Sequence, residues 1–212
     1  MNGSVADNRP RKRDSKKDAI VAAAAEVLMR QGVAACTVRA IADTSGVSKS
    51  AIHYYFEEVD QIVELAFERV MDQFVERLEA AAAAAPGPLE GLGAAAAEYL
   101  RLGADQPDGH RVPMLAFDFH VVSTRRGDTS AMERLTERVM KLFRRLAEEA
   151  GLDHAAATVD VLLSALIGAV IRSPLGHRSV EEELAVLSAA LGVPLGERPR
   201  VKGSRRRRSV GS

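Results

Sequence analysis

Apolar residues recur along this chain at the three- and four-residue spacing of helices, and few stretches alternate as a half-buried strand would. Ile20, Ala23, Ala24, Val27 and Leu28 form one such stripe and predict a helix over 15–31, ended by Gly32. Thr37 stands where it caps a short second helix whose apolar positions are Val38, Ile41 and Ala42. Gly46 supplies a turn, and Ser48 caps a third helix to about Tyr55, with Ile52 and Phe56 facing inward. Val63, Phe67, Val70, Phe74 and Leu78 then predict a long fourth helix over about 60–84, broken by Pro86-Gly87-Pro88.

The remaining pattern predicts five more helices. An Ala-rich one spans 89–102 and a less regular one 111–124, with a break at Pro107-Asp108-Gly109 between them. After the Gly127-Asp128 turn, 131–150 is amphipathic through Met132, Leu135, Val139, Leu142, Phe143 and Leu146. The segment 155–171 is apolar nearly all round, which predicts burial on most sides. Pro174-Leu175-Gly176 separates it from a last helix over 179–192, striped by Val180, Leu184, Leu187 and Leu191. Residues 1–14 and 196–212 read as disordered basic flanks. The expected fold class is therefore all-α: a three-helix head over 15–58 on a helical bundle over 59–195, about nine helices in total.

Composition supports this reading. The 212 residues are 47% hydrophobic, enough to bury a substantial core. Aromatic content is 4% and Trp is absent, while the helix formers Ala and Leu abound. The formal net charge of zero conceals an uneven distribution. Residues 1–56 carry nine Lys/Arg against five Asp/Glu, 57–196 carry 13 against 23, and 197–212 carry seven against one. A basic head on an acidic body points the head alone toward a polyanion. Cys36 is the one cysteine, so no intrachain disulfide is available, and it reads as inert. The N-terminus lacks a signal peptide's apolar run, and Val159 to Ile171 reads as too short to span a bilayer. The expectation is a soluble cytoplasmic protein with no membrane partner.

The segment TVRAIADTSGVSKSAIHYYF, Thr37 to Phe56, carries the functional signal. It offers a short helix, a tight glycine turn and a second helix with one buried face, as a helix-turn-helix requires. Val47, Ile52 and Phe56 supply that buried face, leaving Lys49, Ser50, Ala51, His53, Tyr54 and Tyr55 for the major groove. Ser50 and Ala51 are small enough for close approach. With Ile20, Ala23, Ala24 and Gly32 before it and Ile62 after it, this segment resembles the TetR family of bacterial transcriptional repressors. The resemblance implies double-stranded operator DNA as partner and a DNA-binding set of Thr37, Arg39, Ser48, Lys49, Ser50, Ala51, His53, Tyr54 and Tyr55. In it, Arg39 and residues 49–54 read bases, while His53 and Tyr55 meet phosphates. The chain departs from the family pattern at Val59, where a phosphate-gripping Lys is common, and at Glu57 and Glu58. Arg9, Arg11, Lys12 and Arg13 read equally as a DNA-contacting arm or a solvated tail, and Arg205 to Arg208 as a tail.

The resemblance also implies an effector pocket between helices of the larger domain. Met and aromatic side chains concentrate there, at Met71, Phe74, Tyr99, Met114, Phe117, His120, Met140 and Phe143, with Phe119 beside them. No Lys/Arg cluster lies among these positions, so the expected effector is small, uncharged and partly apolar, bound between the fourth and eighth helices. The expected homodimer interface uses the last two helices through Leu162, Ala165, Leu166, Gly168, Ala169, Val180, Leu184, Leu187 and Leu191. Asp118 and His120, two apart, fall on different helix faces and make no metal motif. No cofactor motif or catalytic constellation is present, so the expectation is a regulator and no enzyme. Two rivals stand beside it. One is a DNA-binding protein of this fold without a small-molecule effector, for which a fully packed C-terminal core would argue. The other is a helical enzyme, which needs a cleft of convergent ionisable groups.

Overall fold

A computed structural model describes residues 9–103, 112–172 and 178–196, with side chains from residue 14 onward. Its helices are α1 (Arg9–Gln31), α2 (Val38–Ser45), α3 (Lys49–Tyr55), α4 (Val59–Ala83), α5 (Pro88–Gly103), α6 (Val112–Arg126), α7 (Ser130–Glu149), α8 (Ala155–Arg172) and α9 (Val180–Leu191). A 3₁₀ turn at Val33–Ala35 links α1 to α2, and the described residues contain no strand. The breaks expected at 107–109 and 174–176, the Arg run at 205–208 and residues 1–8 lie outside the described residues.

One boundary differs clearly from expectation. The first helix begins at Arg9, so residues 9–14, expected as part of a disordered arm, are helical. Nothing in RPRKRD interrupts a helix: Arg and Lys are good formers, and Pro10 falls in the first turn, where no intrahelical N–H bond is lost.

The long α4 organises the molecule. It packs on α1 at the head and on α5, α6 and α7 in the body. Such sandwiching requires more than one apolar stripe. Accordingly Ile62, Val63, Ala66, Phe67, Val70, Met71, Phe74, Val75 and Leu78 are all buried. Phe67 is fully buried and stacks on Phe119 of α6, with ring centres 3.7 Å apart and planes 3° from parallel. At the far end the backbone crowds α5. A Cβ on Gly93 would lie 2.0 Å from the Leu195 carbonyl oxygen, and one on Gly103 would lie 2.3 Å from a Val170 methyl. Leu195 is held there by burial and by its N–H, which donates to Ser188 Oγ at 2.9 Å.

α8 is apolar round most of its circumference, yet only one side is used by its own chain. Val159, Leu162, Leu163, Leu166, Ala169 and Val170 pack inward against α5, α6, α7 and α9. Val161, Ile167 and Ile171 stay 56%, 47% and 46% exposed. With 18 residues the helix runs longer than the apolar stretch from Val159 suggests. By length and composition alone it is long enough to cross a membrane, which corrects the expectation that it was too short. Its inward packing marks it equally as a core helix.

Candidate nucleic-acid interface and effector cavity

The head is built from caps and one turn. Thr37 Oγ1 accepts the Ala40 N–H at 3.2 Å, starting α2. Gly46 ends it at φ 69°, a left-handed conformation that glycine adopts without a Cβ clash, and its N–H donates to the Ala42 carbonyl at 3.0 Å. Ser45 Oγ receives the Val47 N–H at 3.2 Å, tightening the turn. Ser48 Oγ then accepts the Ala51 N–H at 3.3 Å and opens α3. Each cap satisfies a donor that a helix start leaves unpaired.

Ile41 of α2 and Ile52 of α3 are buried, α2 packing on α1, whose Ile20, Ala24, Val27 and Leu28 are buried in the same core, and α3 packing on α2. Phe56 ends α3 buried, and Lys17 Nζ lies 5.5 Å from its ring centre. Pinning one face of α3 turns the other outward. Thr37, Arg39, Ser48, Lys49, Ser50, His53 and Tyr54 are exposed, Tyr54 at 71%, while Ala51 and Tyr55 are half-buried. The Tyr54 and Tyr55 rings meet edge to face at 5.1 Å. Arg39 lies 3.8 Å from Asp43 on the solvent face of α2, a loose pair. The nine expected DNA-binding residues lie on α2, α3 or the caps that open them, seven exposed and two half-buried. Val59 packs against the core, and Glu57 and Glu58 are exposed. Lys17 was missed by sequence reasoning because α1 was read only for its apolar stripe. Cys36 is buried, its Sγ 3.8 Å from the Ala24 carbonyl, and burial pushes its thiol up to about 11.

The body contains a cavity of about 290 Å³. Met71 and Phe74 of α4 and Tyr99 of α5 form one wall, and Val112, Pro113 and Ala116 of α6 another. Met132, Leu135, Thr136, Val139 and Met140 of α7 close a third. Leu163 lies within α8, while Asp160, Ser164 and Ile167 rim the opening on that helix's outward face. Of the expected pocket residues, Met71, Phe74, Tyr99 and Met140 line this space. The others do not. Phe117 is 48% exposed and His120 is exposed, both on the outside of α6. Phe143 is fully buried in the core, and Met114 packs half-buried against that core. Phe119, two residues from Phe117 and so across the helix, is the inward aromatic.

The cavity is poor in polar atoms. Thr136 Oγ1 donates to the Met132 carbonyl at 2.9 Å and Ser164 Oγ to the Asp160 carbonyl at 2.8 Å. The Asp160 carboxylate takes Arg144 at 3.2 Å. Tyr99 is 7% exposed and meets Phe74 edge to face at 5.5 Å. Among the described residues its hydroxyl has no hydrogen-bond partner, and burial raises its pKa to about 12. Among the described residues no three His, Cys, Asp or Glu side chains gather as a metal site would need.

A charged ladder runs from this cavity toward the head. Asp60, Glu64, Glu68 and Asp72 stand at successive four-residue steps on α4. Arg126 meets Asp60 at 2.8 Å, Arg134 meets both Glu64 and Glu68, and Arg138 meets Asp72.

The expected dimer residues divide in two. Leu162, Leu166, Ala169, Leu184 and Leu187 are buried within the single chain, so they serve its own core and the expectation is corrected there. Ala165, Gly168, Val180 and Leu191 are partly exposed, and the large outward apolar side chains are Val161, Ile167 and Ile171 of α8 and Val186 of α9.

A capped helix-turn-helix head carried by the leading helix of an α-bundle with an internal apolar cavity defines the class of this protein. Residues 20–66 match the model of the bacterial regulatory proteins of the tetR family. The HTH-type transcriptional repressor KstR2 of Mycolicibacterium smegmatis is 30% identical over 88 residues, which is 42% of this chain and 43% of that repressor, less than half of either. The fold matches a TetR-family transcriptional regulator from Streptomyces coelicolor with TM-score 0.70 at 14% identity, covering 92% of this chain and 98% of that one. It also matches a TetR transcriptional regulator from Chloroflexus aurantiacus with TM-score 0.69 at 18% identity, covering 86% and 96%. The match to the tetR family model thus covers the head and the start of α4, and over the rest of the chain the likeness to these regulators is one of fold.

Proposed function

We propose that this protein is a cytoplasmic, homodimeric repressor that binds a dyad-related DNA operator through α3 and is released by a small, uncharged, partly apolar effector. The observation that carries the reading is the continuity of α4. It starts three residues after Phe56 closes the recognition helix, and Met71 and Phe74 farther along it line the cavity. One rigid element therefore touches both the head and the effector space.

The ladder supports a route between them. Arg134 and Arg138 flank Leu135 and Thr136 on α7, which line the cavity, and both arginines grip α4. Exposed ion pairs of this kind contribute little to stability. Their service here is to fix α4 against α7, so that a shift of α7 on filling the cavity turns the head. The two heads of a dimer must sit about 34–36 Å apart, or a multiple, to enter successive major grooves. An effector that favours another separation lowers DNA affinity by its differential affinity for the two states. The open cavity favours this reading over a same-fold protein without an effector. The name of the Mycolicibacterium relative supports repression as the sign of control.

Arg39→Ala tests the head. Arg39 is exposed on α2, and its loose partner Asp43 leaves its guanidinium able to reach a base edge. The substitution should weaken the selected operator by about 1–3 kcal/mol in fluorescence anisotropy, if the contact is bidentate, and leave scrambled DNA unchanged. Equal affinity of the unaltered protein for operator and scrambled duplex at physiological salt would defeat the proposal.

A further inference from the structure

We propose that Tyr99 selects the ligand of the cavity by donating a hydrogen bond to an acceptor oxygen on an otherwise apolar, uncharged molecule. This rests on the reading of the cavity as the effector site and gives that site its chemistry.

The argument starts from what the cavity lacks. Its walls are Met, Phe, Val, Leu, Ala and Pro, so most of a ligand's surface meets hydrocarbon. Two of its three hydroxyls, those of Thr136 and Ser164, already donate to main-chain carbonyls of their own helices. Tyr99 alone of the three keeps an uncommitted donor, and it is 93% buried on the wall. No buried polar side-chain atom among the described residues lacks a partner, so this hydroxyl is open to the cavity, and a ligand that displaces water from it is favoured when it brings an acceptor of its own. The ring is held edge-on by Phe74, so the hydroxyl is presented from a fixed position. A tyrosine hydroxyl is protonated at neutral pH, and burial moves its pKa further up, to about 12, so it stays able to donate.

Charge is selected against. Among the described residues no Lys or Arg lines the space, and the ionisable side chain at its rim is the acidic Asp160. A carboxylate or phosphate ligand would enter past that negative group and meet no cation among the described lining residues. A cationic ligand would compete with Arg144 for a carboxylate that is already paired. The volume of about 290 Å³ is at the small end of ligand pockets, which run from about 300 to 1,000 Å³. The ligand class is therefore a compact ketone, ester or ether of one or two rings or a short chain.

The test uses the full-length protein without DNA, so that it does not depend on the operator. N-phenyl-1-naphthylamine, a neutral apolar fluorophore, is bound and then displaced by n-butylbenzene, by 4-phenyl-2-butanone, which has the same skeleton with one carbonyl, and by 4-phenylbutanoate. Tyr99→Phe, which removes only the hydroxyl, should lower the affinity ratio of ketone to hydrocarbon by about three- to ten-fold, nearly all through the ketone. Thr136→Val should leave that ratio unchanged, and the anion should displace the probe most weakly. A ratio unaltered by Tyr99→Phe, or a preference for the anion, overturns the inference while leaving effector control and DNA binding standing. Failure of every one of these compounds, the probe included, to bind would overturn the cavity's role and the inference with it, and anisotropy on DNA would still judge the head by itself.

Discussion

Val161→Asp is expected to split the proposed dimer without unfolding the chain. Val161 is the most exposed large apolar side chain of α8, at 56%, and it shares an outward stripe with Ser164, Gly168 and Ile171 at helical spacing. An aspartate there costs the single chain little, because the position faces solvent. In an isologous interface the same charge appears twice across the symmetry axis, next to Asp160 of each copy, and must be desolvated. Light scattering should report a monomer at micromolar concentration with helical circular dichroism unchanged. Two linked heads gain roughly 10²–10⁴ in avidity over one, so affinity for a two-half-site operator should fall by about that factor. Gly168→Leu is a second probe, since a Cβ at Gly168 meets nothing within 4 Å in the single chain. Leu187→Glu is no such probe, because Leu187 is 5% exposed and the charge would enter the chain's own core. A monomeric unaltered protein, or a Val161→Asp dimer with full operator affinity, would refute the interface.

Phe67→Ala should be among the most destabilising single substitutions. Phe67 is fully buried where α4 passes from the head into the body, and it forms the stack with Phe119 that ties α4 to α6. Truncation removes a full ring and leaves a void between helices that cannot collapse without moving the head. Such changes cost about 3–5 kcal/mol. At about 2–4 °C per kcal/mol for a chain of this size, the midpoint of thermal unfolding should drop by roughly 6–20 °C. Phe117→Ala, with 48% of that residue exposed on the opposite side of α6, should shift it by far less. Calorimetry on the two variants separates these outcomes, and equal shifts would contradict the packing of α6.

The sequence reveals helices here because the apolar period of each segment is strong and the caps are explicit. Thr37, Ser48 and Gly46 mark the head's turn to the residue, and the structure uses each as its chemistry suggests. Rotational phase is harder to read. α8 is apolar almost throughout, so no polar stripe marks its outer side, and Leu162 and Leu166 look as suitable for a partner as Val161 and Ile171. In α6 the pair Phe117 and Phe119 points to opposite sides, and only the packing of Phe67 decides which is inward. The cavity is harder still, because it is made partly by small residues such as Ala116 and partly by how α6, α7 and α8 diverge. Aromatic type alone finds Phe74 and Tyr99 and misses Val112, Leu135 and Leu163. Charge predicts disorder over 9–14, where the chain is helical, because charge says nothing against a helix when no breaker is present.

The central claim is that α3 reads DNA as one of a symmetric pair, and selection of bound fragments from random double-stranded DNA tests it most directly. Successive rounds with the full-length protein at physiological salt should converge on one motif with two dyad-related halves. Their centres should be about one helical turn or a multiple apart, ~34–36 Å per turn. Lys49→Ala, at the exposed start of α3, should weaken binding to that motif. Recovery of fragments with no common motif, or of a motif without a dyad, would contradict the account.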